Sequence, residues 1–71
     1  MNPHYEQVHF DQLINGSIYY CFNQHGYYIG IFDHYSTKAK FKQVRFISEN
    51  EMIEMDHVMI DSSYNIYKTV R

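Results

Sequence analysis

The chain has 71 residues, a formal net charge of -2 and a single cysteine, which excludes a disulfide framework and argues against non-specific attraction to nucleic acid. Eight Tyr and five Phe make 18% of it aromatic against one Pro and three Gly, a composition suited to pleated, half-buried surfaces and not to a disordered chain. At this length residues 1–71 form one domain, and a chain this small removes only ~60% of its unfolded surface from water. The thin core makes self-association, for example as a homodimer, an expected further stabiliser.

The opening MNPHYEQVHF has neither the basic start nor the apolar run of a secretory signal. No apolar stretch approaches the ~18 residues a bilayer span needs. The expectation is a cytoplasmic chain with no membrane partner.

Residues 1–15 read as a lead-in segment or an edge strand, because Glu6, Val8 and Phe10 alternate with Tyr5, Gln7 and His9. Asp11 is placed to cap one helical turn through Leu13 and Ile14, ended by the Asn15-Gly16 turn pair. No apolar 3.6-residue period then persists for the ~10 residues a packed helix needs.

Ile18 to Phe22 and Tyr27 to Phe32 are aromatic and β-branched runs joined by Asn23-Gln24-His25-Gly26, which predicts a hairpin with Gly26 in a left-handed position. Gly30 inside the second run marks a bend, a bulge or a close backbone approach. Asp33 to Lys38 is polar and reads as a loop.

Ala39 to Ile47 and Met52 to Ile60 are expected to pair around a Glu49-Asn50 turn, which sets Phe46 against Ile53, Val44 against Met55, Phe41 against Val58 and Ala39 against Ile60. Arg45 then faces Glu54 and Lys38 faces Asp61, pairs of opposite charge that favour this register. Along both strands the apolar parity changes at one level, from Val44 and Phe46 to Phe41 and Ala39, and from Met55 to Val58. A coordinated change of face predicts a strong twist or bulge near Gln43 and Asp56. Ser62 to Val70 begins as a turn and ends as a short closing strand.

The succession Gly26-Tyr27-Tyr28-Ile29-Gly30-Ile31, Val44-Arg45-Phe46-Ile47, a polar turn, Met52-Ile53-Glu54-Met55 and a last short strand resembles small SH3-like barrels, and among them Tudor domains most. The resemblance covers about residues 16–70. It implies a mostly β fold, a five-stranded SH3-like small barrel with at most one short helical turn. Methyl-binding Tudor domains carry aromatics in the turn where this chain has Ser48, Glu49 and Asn50. By resemblance Tyr20, Tyr27 and Tyr28 would supply walls of a cage taking a methylated side chain by cation–π contact, with Asn50 at a polar position near it.

His4, His9, His25, His34 and His57 fit no metal-ligand spacing, so no metal is expected. Cys21 with His57 or His25 lacks a glycine-rich elbow or an oxyanion motif, and neither Gly26 nor Gly30 belongs to a phosphate loop. The chain is therefore read as no enzyme and as holding no cofactor. Lys38, Lys40, Lys42 and Arg45 form a basic strip of the kind that tracks single-stranded nucleic acid, set against carboxylates of the following strand. If Ile18, Tyr20 and Phe22 face inward, Tyr19 faces out, and a thin core cannot absorb all thirteen aromatics.

The reading is a non-enzymatic module binding a protein or peptide through exposed Tyr19, Tyr27, Tyr28, Tyr35 and Tyr64. Single-stranded nucleic acid on the basic strip is the first alternative, and a nucleotide-like ligand between tyrosines of two protomers the second. A free-standing chain of this size also fits a viral or mobile-element accessory protein.

Overall fold

The computed structural model describes residues 4–70. In chain order the elements are β1 (His4–Val8), a 3-10 turn (Phe10–Gln12), β2 (Ile18–Asn23), β3 (Gly26–Tyr35), β4 (Ala39–Ile47), β5 (Met52–Ile60) and β6 (Asn65–Val70). All six strands belong to one antiparallel sheet of order β1-β6-β2-β3-β4-β5.

The mostly β class and the single short helical turn stand, but the closed five-stranded barrel does not. Among the described residues the sheet has six strands and two edges, β1 and β5. The reason is local: closure would require β6 to pair with β5, and that side of β6 is taken by β1 from Val8↔Ile66 to His4↔Val70. The sheet nevertheless rolls. Four strand spacings of ~4.8 Å separate β5 from β6 in a flat sheet, and the five Cα steps from Ile60 to Asn65 reach ~18 Å only when fully extended. A turn closed by the Tyr64 amide on the Asp61 carbonyl (3.4 Å) shortens that reach. Rolling brings Ile60 and Ile66, both buried, into one core with Leu13, Tyr19, Cys21, Phe32, Ala39, Phe41 and Val44.

The β4–β5 register is the expected one throughout, Phe46↔Ile53, Val44↔Met55, Phe41↔Val58 and Ala39↔Ile60. The bulge is at Gln43, the one non-glycine residue with positive φ among those described (53°). Against β3, Ile29 pairs with Arg45 and Ile31 with Lys42, so Gln43 and Val44 together oppose Gly30. The extra residue turns Ala39 and Phe41 on one side of it, and Val44 on the other, toward the same core. Gly30 makes room for that approach: a Cβ there would stand 2.9 Å from Val44 Cγ2 and 3.2 Å from Phe41 Cβ.

Other expectations need correction. The 3-10 turn starts at Phe10, with His9 in the capping position making no side-chain bond, so Asp11 is inside it. Leu13 follows in extended conformation and enters the core. The Asn15-Gly16 turn forms as expected, with Gly16 at φ 85°. Gly26 is nearly extended (φ 159°) instead of left-handed; its requirement is space, since a Cβ would collide with the Ile47 carbonyl oxygen. The hairpin turn is instead held by the Asn23 side-chain oxygen, which accepts from the His25 and Gly26 amides at 2.8 and 3.1 Å. Strand β3 runs on to Tyr35 through an irregularity at Asp33, leaving only residues 36–38 as a loop.

The orientation of β2 is the reverse of the expected one. Tyr19 (2% exposed) and Cys21 (1%) face the core, while Ile18 and Phe22 face outward. Both parities of β2 are apolar, so period alone could not choose. Its partners choose: Tyr19 pairs with Gly30, which leaves volume for the ring, and Cys21 with core Ile66.

The outer aromatic face

On the face of the roll turned from the core, β6, β2 and β3 set aromatic residues side by side. Tyr20 pairs with Tyr67, and Phe22 with both Asn65 and Tyr27. Tyr5 joins from the edge strand, its ring edge-on to Tyr20 at 5.4 Å. Phe22 stacks on Tyr27 at 4.8 Å and meets Tyr67 edge-on at 5.6 Å. Together with Asn65 these rings line an open concavity of about 520 Å³ that contains no charged side chain. Tyr5 is 58% exposed, Phe22 36% and neighbouring Ile18 56%.

The hydroxyls divide the tyrosines into two classes. Tyr19 accepts the Ile14 amide at 2.9 Å. Tyr35 accepts the Leu13 amide at 3.0 Å and donates to the Phe10 carbonyl, which pins the 3-10 turn. Tyr64 accepts from the Asn23 amide group at 3.5 Å. Among the described residues the hydroxyls of Tyr5, Tyr20, Tyr27 and Tyr67 make no such bond, nor does that of Tyr28 on the opposite face. Each is a half-apolar ring with a free polar tip.

Of the five tyrosines named from the sequence, only Tyr27 lies on this face. Tyr19 is core. Tyr28 is on the opposite face, 4.7 Å from the Phe46 ring and 6.1 Å from Tyr64, and burial, reinforced by Tyr64, raises its pKa. Tyr35 is 41% exposed, yet it is fastened through its hydroxyl and packs on Phe32 and Phe10. Tyr20 and Tyr27 share the outer face, so with Tyr28 behind them the three do not line a common cage; Asn50 is exposed in the β4–β5 turn.

Tyr5, Phe22 and Tyr67 are absent from the sequence-derived site, and Tyr20 enters there only as a cage wall implied by the Tudor resemblance. Tyr5 and Tyr67 come from opposite ends of the chain and meet only because β6 inserts between β1 and β2. The one local signal was the Tyr20–Phe22 alternation, which reads equally well as a core face.

The basic strip divides as well. Lys40, Lys42 and Arg45 share the outer face of β4, with Lys42 beside Ile31 and Arg45 beside Ile29, while Lys38 lies in the preceding loop. Arg45 Nε is 3.9 Å from Glu54 Oε1. Lys38 lies near Asp61, whose carboxyl is held below its usual range by the Ser63 hydroxyl, then the Ser63 amide, with Lys38 adding to the effect. Lys40 and Lys42 instead oppose Met59 and His57.

Cys21 is buried, and burial pushes its thiol pKa up to about 12. It is protonated at neutral pH and packed as an apolar residue. No three His, Cys, Asp or Glu side chains among the described residues gather where a metal ion could be held, and no helix there is long and apolar enough to cross a membrane.

No family model matches this chain, and no curated protein or solved structure matches it significantly.

Proposed function

We propose that this protein is a non-enzymatic binding module that holds a segment of a protein partner on the outer aromatic face. One observation carries the reading: four tyrosines with free hydroxyls and one phenylalanine surround an uncharged concavity that the fold does not fill. Cores of protein interfaces are depleted in charge and rich in tyrosine, whose ring supplies contact area and whose hydroxyl finds a partner on docking. Tyr27 is retained from the sequence-derived set, and Tyr5, Tyr20 and Tyr67 join it.

Lys40 and Lys42 favour a second reading, since neither faces a carboxylate across β5 and both share the outer face with the rings. Stacking rings beside free cations suit single-stranded nucleic acid.

The test is selection of unmodified peptides from a library on the immobilised chain, followed by Tyr20→Ala, Tyr27→Ala and Tyr67→Ala. At least one variant should keep its melting transition and lose tenfold or more in affinity for a selected peptide. If all three bind normally while an oligonucleotide binds the wild type, with a steep salt dependence that Lys40→Ala and Lys42→Ala abolish, the nucleic-acid reading replaces this one.

A further inference from the structure

Strand β5 ends the sheet with nine residues, Met52–Ile60, whose outer edge has no neighbour among the described residues. Such an edge carries a row of unpaired amides and carbonyls, and proteins ordinarily blunt it with lysine, proline or a short strand. β5 has no lysine or proline and is long; the charges it carries are the carboxylates Glu54 and Asp56. It exposes apolar side chains on both faces instead, Met52 (60%) and Met59 (37%) on the outer face and Ile53 (42%) on the inner. Three of the chain's four methionines are on this strand, Met52, Met55 and Met59. Methionine adapts its shape to what it meets and is favoured where a surface must accept a partner.

Charge selects the partner. Residues 49–61 hold Glu49, Glu51, Glu54, Asp56 and Asp61, five of the chain's eight carboxylates, and no Lys or Arg. Glu54 has Arg45 at 3.9 Å and Asp61 is bonded by Ser63, which leaves Glu49, Glu51 and Asp56 without an ion pair among the described residues. The strand already paired with β5 on its inner side, β4, is the basic one, with Lys40, Lys42 and Arg45 interleaved with Ala39, Phe41, Val44 and Phe46. A second copy cannot supply an equivalent strand. Its cations on β4 and β6 belong to strands paired on both sides, and β5 of a second copy brings further carboxylates, Glu54 and Asp56, with no Lys or Arg to meet them.

We infer that β5 accepts an added strand from another protein, an extended segment in which Arg or Lys alternates with apolar residues. Main-chain hydrogen bonds supply the docking and the carboxylates supply the selectivity. This surface is separate from the aromatic face, and the two proposals stand or fall independently.

The experiment uses the full chain, isotope-labelled for NMR, and a capped peptide of about ten residues, the length of a long strand, alternating Arg with Val or Thr. Titration should shift amide resonances of Met52–Ile60 and slow their hydrogen exchange, leaving Tyr20 and Tyr67 unmoved. The same peptide N-methylated at alternate residues along its docking edge should bind at least tenfold more weakly, and a Glu-for-Arg peptide should not bind. The exposed double variant Glu54→Gln/Asp56→Asn should keep the fold and lose severalfold in affinity. Undiminished binding by the N-methylated peptide, or by the double variant, overturns the proposal. So do shifts confined to the aromatic face, no shifts at all, or self-association that maps to β5.

Discussion

The two faces of the β2–β3 hairpin are made from nearly the same residues and behave as opposites. Inward, Tyr19, Cys21, Tyr28 and Phe32 join the core or pack against it, and the Tyr19 hydroxyl is committed to a backbone amide. Outward, Tyr20, Phe22 and Tyr27 pack on one another and on Tyr5 and Tyr67, with the tyrosine hydroxyls uncommitted. Aromatic content alone therefore says nothing about role. What distinguishes the faces is what the rings pack on: inward, Tyr19 sits in the core with its hydroxyl bonded and Tyr28 lies against Phe46 and Tyr64, while outward the rings pack on one another around an open concavity.

The sharpest test of this contrast is Phe41→Ala against Phe22→Ala. Phe41 is 1% exposed at the centre of the core, so its loss should cost ~3–5 kcal/mol, most of the stability of a chain this small. Urea titration should find that variant largely unfolded. Phe22→Ala should shift the transition by no more than ~1 kcal/mol. Comparable losses would mean the outer face is structural and break the distinction.

Next in size is Gly30→Ala, which places a methyl group against Val44 and Phe41 and should cost ~1–3 kcal/mol through overpacking. Adding Val44→Ala should recover part of the loss, since the two changes share one space. Full additivity in denaturant melts would show that the bulge tolerates the methyl and that the close approach is not what requires glycine.

Removing single hydroxyls probes the contrast most directly. Tyr35→Phe leaves the Leu13 amide and Phe10 carbonyl without their partner and should lower stability by ~1–2 kcal/mol. Tyr20→Phe and Tyr67→Phe should stay within ~0.5 kcal/mol. Equal effects would mean that the outer hydroxyls have internal partners after all.

The smallest effect is expected where the chain leaves edge strand β5 for β6. Asp61 has a lowered folded-state pKa because its ionised form is hydrogen-bonded by Ser63. Its contribution is therefore present above the unfolded-state value and lost as pH falls through the folded one. Asp61→Asn should melt slightly below the wild type at pH 7, and the gap should close in acid, below the usual carboxylate range. A gap that persists there would assign the effect to backbone geometry instead of charge.

Much of the β4–β5 ribbon was legible in the sequence, because each strand has one apolar parity at a time and both change parity at the same level. Only one register satisfies both changes and also pairs Arg45 with Glu54. The change of parity even located Gln43 as the bulge. The β2–β3 hairpin was legible as a hairpin but not as to its faces, since residues 18–22 and 27–32 are apolar on both. Choosing between them took Gly30 opposite Tyr19 and Ile66 opposite Cys21, and the second of these is a contact between residues far apart in the chain.

The candidate site shares that difficulty. Its rings come from β1, β2, β3 and β6, and nothing near Tyr5 or Tyr67 in sequence marks either as its member. Local pattern determined the β class, the turns, the β4–β5 register and the position of the bulge, because those depend on side-chain period and turn chemistry within a few residues. Strand order, the open edge at β5 and the outer aromatic face were decided by β6 inserting between β1 and β2. That choice depends on how well distant surfaces fill one core, and no local period encodes it.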